Sequence, residues 1–247
     1  MVTRAGAPSP ADVTLPAADG TALKGWFWER PDSRGGLILS HGLGEHAACY
    51  RHVAEALGPV LGIDVLAFDY RGHGRSPGRR GRVRLYDELT ADLRGALAWY
   101  RGRRPDRPRF VLGHSNGGLV ALMTLLAGGE EPAGLILSNP ALRLAVAVPA
   151  LKRWAGRVLL RVAPGVTLSS ALPLEMLTQD LDQAEERLGD PLRHSRISAP
   201  LYFGMIEGGP LVLARAGSIH VPVLLILGES DPVIDPRASR EFFDRLG

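Results

Sequence analysis

The residues Gly113-His114-Ser115-Asn116-Gly117 have the spacing G-x-S-x-G. A serine hydroxyl becomes a useful nucleophile only when it stands clear of the backbone beside a proton acceptor. A sharp strand-to-helix turn raises it, and in such a turn the positions two before and two after the serine crowd each other. Glycine at both, Gly113 and Gly117, removes the clash. The helix N-terminus behind the serine leaves unpaired N–H groups that face a developing oxyanion. The chemistry served is attack on a carbonyl carbon.

The motif needs a strand before it and a helix after it, and Phe110-Val111-Leu112 and Leu119–Leu126 supply both. A second glycine turn, His41-Gly42-Leu43-Gly44-Glu45-His46, follows the apolar run 36–40. At the end of a central strand it directs a backbone N–H into the cleft, and Leu43 is the expected donor. His41, His46 and Glu45 are also of metal-ligating type. No further ligand cluster accompanies them in sequence, so no metal or cofactor is expected.

The elements that position these turns alternate. A hairpin is predicted over 12–16 and 22–29 around Ala18-Asp19-Gly20-Thr21, with Trp26 and Trp28 on one face. Strands follow at 36–40, 64–69, 109–113 and 134–138. Helices lie between them: 50–61 with apolar Val53, Leu57, Val60 and Leu61, 87–100 with Leu89, Leu93, Ala96, Leu97 and Tyr100 on one face, and the helix behind Ser115. The loop Tyr70–Gly78 lacks the Lys-Ser/Thr of a phosphate cradle and reads as a tight structural turn. This order makes an α/β parallel sheet with right-handed crossovers and a site beyond the carboxyl ends of its strands. From 141 to 217 prolines interrupt helical stretches and no clean strand is evident, which reads as a helical cap. The pattern resumes with a strand over 221–228 and a helix over 237–246. The core is therefore assigned to 1–140 and 218–247, and the cap to 141–217.

Composition narrows the classes. Hydrophobic residues make up 45% of the 247, ordinary for a globular chain, and the net charge is +3. The arginine-rich stretches 79–84 and 101–109 carry no interleaved aromatics. They read as solvated loops beside helix ends, and no nucleic-acid partner is expected. The single cysteine, Cys49, excludes a disulfide framework and is expected buried and reduced. Residues 1–10 read as a disordered lead without a secretory apolar region, and no apolar run is long enough to span a bilayer, so a cytoplasmic protein is expected.

These segments together resemble the α/β-hydrolase superfamily, within it the monoacylglycerol lipase / lysophospholipase-like branch that borders the serine aminopeptidases. The resemblance rests on residues 41–46, 69–76, 113–118 and 228–233, in the family's order and spacing. It implies Ser115 as nucleophile, the N–H groups of Leu43 and Asn116 as oxyanion hole, and Asp231 as the triad acid. Glu229 and Asp235, its neighbours, read as a solvated turn residue and a helix N-cap. The family order is Ser, Asp, His, yet no histidine follows Asp231. His41, His46, His52, His73 and His114 precede or abut the serine, His194 lies in the cap, and His220 precedes the late strand. The expectation is a C-terminally truncated chain that is near-inactive as it stands. The complete enzyme is expected to cleave carboxylic esters through an acyl-enzyme, on a monoacylglycerol or lysophospholipid-like substrate, with a transient contact of the cap with a membrane surface. A non-catalytic binding protein of this fold and an aminopeptidase or short-chain esterase are the alternatives.

Overall fold

The computed structural model describes residues 9–129, 131–170, 172–178 and 180–247. Most of the expected lead, residues 1–8, lies outside them. The chain opens with strands β1 (Ala11–Pro16) and β2 (Ala22–Trp28), then β3 (Gly36–Ser40), a 3-10 turn (Ala47–Tyr50), α1 (Arg51–Leu61) and β4 (Asp64–Phe68). α2 (Asp87–Arg103), β5 (Arg109–His114), α3 (Asn116–Leu126) and β6 (Gly134–Ser138) follow. Next come α4 (Ala150–Val162), β7 (Thr167–Ser169), α5 (Leu181–Gly189), β8 (Arg196–Ser198) and α6 (Ala199–Ala214). β9 (Val223–Ile226) and α7 (Pro236–Asp244) complete the described fold.

Seven strands form one sheet in the order β1-β2-β4-β3-β5-β6-β9. The β1–β2 hairpin turns at Gly20 (φ 83) and joins β4 antiparallel; β4, β3, β5, β6 and β9 run parallel. Successive side chains therefore feed opposite faces. Phe27, Ile38, Leu66, Val111 and Leu135 enter one core with Leu89, Leu93, Ala96, Leu97 and Tyr100 of α2. Trp28, Leu37, Leu39, Val65 and Leu112 enter the other with Ala54 of α1, and Trp26 packs edge-on to Trp28 as expected. The α2 face is the one read from the sequence.

Four elements depart from expectation. In α1 the residues facing the sheet are Val53, Ala54, Leu57 and Gly58, while Val60 and Leu61 are exposed near the left-handed cap at Gly62. The cap region contains strands after all: β7 pairs antiparallel with β8, each too short for a periodic signal. α6 runs through Pro210, and burial of Leu201, Phe203, Met205, Val212 and Leu213 outweighs the roughly 3 kcal/mol a mid-helix proline costs.

The loop after β4 folds around Asp69. Its carboxylate accepts N–H groups from Ala47 (2.7 Å) and Arg75 (2.8 Å), and Gly74 leaves the space that a Cβ would take from it. Arg71 of the same loop crosses the core to Asp92 of α2 at 2.6 Å and reaches Asp19 at 2.8 Å. Asp92 is fully buried. Removing the guanidinium strands that charge, so Arg71→Met is expected to lower the free energy of unfolding by about 3 kcal/mol in urea titration; a loss below about 1 kcal/mol contradicts the assignment.

Candidate active site

Ser115 stands between β5 and α3 with φ 50 and ψ −120, a conformation non-glycine residues rarely hold. Its backbone is clamped. The N–H donates to Ser138 O at 2.9 Å, and its carbonyl accepts from Gly118 N (3.0 Å), Leu119 N (3.2 Å) and Ala141 N (3.0 Å). The two motif glycines have distinct partners. A Cβ on Gly117 would lie 2.1 Å from Ser40 O and 2.6 Å from His41 O, and one on Gly113 would lie 2.6 Å from Gly118 Cα. Ser40 Oγ also donates to Gly117 O at 2.8 Å, fastening the end of β3 to the first turn of α3. Asn116 is buried and its Oδ1 accepts from Tyr86 OH at 2.8 Å. As the first residue of α3 its N–H has no intrahelical acceptor.

Leu43 is half-buried in the loop after β3. Glu45 organises that loop: its Oε2 accepts from Gly42 N at 3.1 Å and Tyr50 OH at 2.7 Å. Arg187 and Arg193, more than 140 residues later, each approach Oε1 at 3.4 Å. Burial alone would raise the Glu45 pKa, but the field of His114, the Tyr50 hydrogen bond and the two arginines bring it down to about 2. His194 N donates to Gly44 O at 3.1 Å, and the carbonyl of His194 occupies the space a Gly44 side chain would need. His41 is buried; its Nε2 accepts from Tyr70 N at 3.1 Å, so its Nδ1 donates to Gly42 O at 2.8 Å. Burial holds its pKa below the usual histidine range.

Asp231 sits in the turn after β9. Its Oδ1 accepts from Val233 N (2.8 Å) and Ile234 N (3.0 Å), and its Oδ2 from Asn139 Nδ2 (2.6 Å). Asn139 follows β6 with φ 40, and its Oδ1 accepts from Gly228 N at 2.7 Å. Ser115 and Asp231 therefore hang on neighbouring residues of one strand end, Ser138 and Asn139. Glu229 pairs with Arg240 in solvent and Asp235 caps α7 through Arg237 N, as expected.

Five of the seven histidines are held by other partners. His46 meets Asp190 at 2.6 Å, His114 meets Ser138 Oγ at 3.1 Å, and His73 and His194 face each other with ring centroids 4.6 Å apart. Burial holds His194 down to about 4. His52 is exposed on α1, and His220 is exposed at the amino end of β9, the opposite end from Ser115. Cys49 is half-buried rather than buried. Sequence reasoning missed Asn139, Glu45 as a loop anchor and Asp190; only the Asn-Pro pair closing β6 hinted at the first.

A parallel sheet flanked by helices, with a strained serine at the strand–helix junction and a carboxylate held beyond β9, is the architecture of an α/β-hydrolase. The chain belongs to the family described as serine aminopeptidase, S33, whose profile matches residues 31–247. It is 32% identical to a monoacylglycerol lipase of Mycolicibacterium smegmatis over 216 residues, covering 87% of this chain and 76% of the relative. It is 30% identical to the Homo sapiens monoglyceride lipase over 231 residues, covering 90% and 74%. The crystal structure of the Paleococcus ferrophilus monoacylglycerol lipase superposes with a TM-score of 0.82 at 32% identity, covering 91% of this chain and 84% of that one.

The conformation at Ser115 reverses an ordinary rule. Glycine is usually less stable than alanine by about 0.5–1 kcal/mol inside regular structure. Here Ser115→Gly is expected to exceed Ser115→Ala in stability by about 1 kcal/mol, because alanine keeps the Cβ strain. Equal or inverted melting temperatures for the two variants contradict a strained turn.

Proposed function

We propose that this hydrolase cleaves carboxylic esters carrying an apolar acyl chain, a monoacylglycerol foremost, through an acyl-enzyme on Ser115. One observation carries the reading: a serine held at φ 50 on the N-terminus of α3, opposite the glycine turn that bears Leu43. In the proposed mechanism Ser115 Oγ attacks the ester carbonyl. The N–H groups of Leu43 and Asn116 receive the charge that develops on its oxygen. The alcohol leaves, and water then releases the acid. Asp231 is the triad acid, its carboxylate already oriented by Asn139 and two backbone N–H groups. A cavity of about 450 Å³ beside the loop from β6, lined by Leu142, Val146, Tyr202 and Met205 together with Arg143 and Arg153, offers room for an acyl chain. The names of the relatives support the same substrate class.

The segment 141–217 serves as the cap in this reading, with α6 seated on α3. On α4, Leu151 (74% exposed), Trp154 (65%) and Val162 (72%) face outward with Val158, beside Lys152, Arg153, Arg157 and Arg161. An exposed apolar stripe flanked by cations suits an anionic lipid surface. No helix among the described residues is long and apolar enough to cross a membrane.

The serine needs a proton acceptor, and among the described residues no histidine hydrogen-bonds the Asp231 carboxylate. The 247-residue chain is therefore expected to hydrolyse p-nitrophenyl esters on the order of 10⁶-fold below a complete triad. That residual should fall little further in Ser115→Ala, because it comes from the oxyanion hole and binding rather than from the triad, and kcat/KM should rise from acetyl to palmitoyl esters. Ser115-dependent turnover at full triad rates overturns the missing base, and a short-chain peak or preference for an aminoacyl amide overturns the lipid substrate. Vesicles containing phosphatidylglycerol should shift Trp154 fluorescence to the blue, a shift lost in Trp154→Phe. Equal binding to neutral phosphatidylcholine vesicles contradicts the cationic contribution.

A further inference from the structure

A contact of 2.6 Å joins two positions 144 residues apart, His46 Nε2 and Asp190 Oδ2. Cys49 lies one turn on from His46, its N–H donating to His46 O at 3.1 Å, so both side chains leave the same 3-10 turn on one side. A ring nitrogen of His46, the sulfur of Cys49 and a carboxylate oxygen of Asp190 all lie within 4.8 Å of one another. Asp190 is held in place because its Oδ1 accepts from Leu192 N at 2.9 Å, which leaves Oδ2 for His46. The His46 side chain is 5% exposed and that of Asp190 23%, so the cluster sits at the seam between core and cap with one side open.

We propose that His46, Cys49 and Asp190 form a binding site for a zinc-type divalent ion, with water as the fourth ligand, that bridges the cap to the core. The donor set is one nitrogen, one sulfur and one oxygen, which zinc and cobalt accept and which magnesium and calcium, seeking all-oxygen shells, do not. Tetrahedral donors about 2.0–2.3 Å from an ion stand roughly 3.5 Å from one another. The His46–Asp190 contact must therefore open by roughly 1 Å and the sulfur close by a similar amount, within side-chain reach. On binding, the Nε2 proton passes to the buffer and Nδ1 takes one up, so the ring stays neutral and Nε2 lends its lone pair to the ion. The Cys49 thiol proton passes to the buffer.

The charges facing the sulfur set the conditions. Burial pushes the Cys49 thiol up to about 11; Glu45 and Asp190 add to the rise, and Arg193 opposes it. The proton thus competes with the metal, and affinity strengthens as pH rises. Arg193 Nε lies 3.7 Å from Asp190 Oδ2 and also meets Glu45, so it swings toward Glu45 when the ion enters. The ion would fix the segment 187–194 against the turn that follows Leu43. The site stands independently of any role for Ser115. The sequence alone hid it because the third donor arrives from the cap.

The test is titration of the intact chain with cobalt(II) chloride in a non-chelating reductant, followed by displacement with zinc chloride. The expected result is a thiolate-to-cobalt charge-transfer band at one ion per chain, abolished in Cys49→Ser. Zinc affinity should fall by at least about tenfold in Asp190→Asn and His46→Ala and stay unchanged in His220→Ala, since even indirect partners of a metal cost that much. Hydrogen exchange across 187–194 should slow when zinc is added to the wild type alone. Absence of the band, or zinc affinity indifferent to Cys49→Ser, overturns the site. A band that survives Asp190→Asn with unchanged affinity overturns the bridge to the cap.

Discussion

The approach of α3 to the end of β3 governs the site. At Gly117 the missing side chain lets the carbonyls of Ser40 and His41 occupy the space where a Cβ would stand, the nearer at 2.1 Å. That contact places a helix N-terminus directly against the turn that bears Leu43. It also forces Ser115 into a conformation that costs on the order of 1–3 kcal/mol. Four backbone hydrogen bonds to Ser115, from β6, α3 and the following loop, hold it there. The strain is local and the clamps come from three elements, so the turn survives only while β3, β5 and β6 keep their register.

The segment 187–194 is tied to this region by charge. Glu45 is nearly enclosed, yet the field of His114, the Tyr50 hydroxyl, Arg187 and Arg193 hold its pKa below the usual carboxylate range. A carboxylate so placed joins the loop of Leu43 to a segment more than a hundred residues later. His46–Asp190 and His194–Gly44 run parallel to it. Three polar links across one seam add electrostatics to the apolar burial of α6 in holding the segment 141–217 against the sheet.

Much of this was legible in the sequence where the signal is local. The apolar runs 36–40, 64–69 and 134–138 read directly as strands, the second ending at Phe68 in the structure, because such runs are mostly buried on both faces. Gly113, Ser115 and Gly117 read as a sharp turn because only one geometry makes use of both glycines. What stayed hidden is non-local. Asp69 looks like an ordinary strand end until Ala47 and Arg75 are seen to donate to it, and Arg71 looks solvated until Asp92 appears beneath it. Asn139 orients Asp231 from 92 residues away, a distance no periodicity spans. In α1 the apolar pattern misled, since Val60 and Leu61 belong to the helix end rather than its packed face.

Whether Ser115 takes an acyl group is open to direct measurement. The chain should be incubated with an activated octanoyl ester at alkaline pH, where hydroxide substitutes for a base, then digested and mapped by mass spectrometry. Lys24 and Lys152 are the only lysines, so competing acylation is confined. One octanoyl group on the Ser115 peptide, absent from Ser115→Ala, is the expected result. Acyl groups found only on Lys24, Lys152, Cys49 or the amino terminus would contradict a nucleophilic serine at this turn.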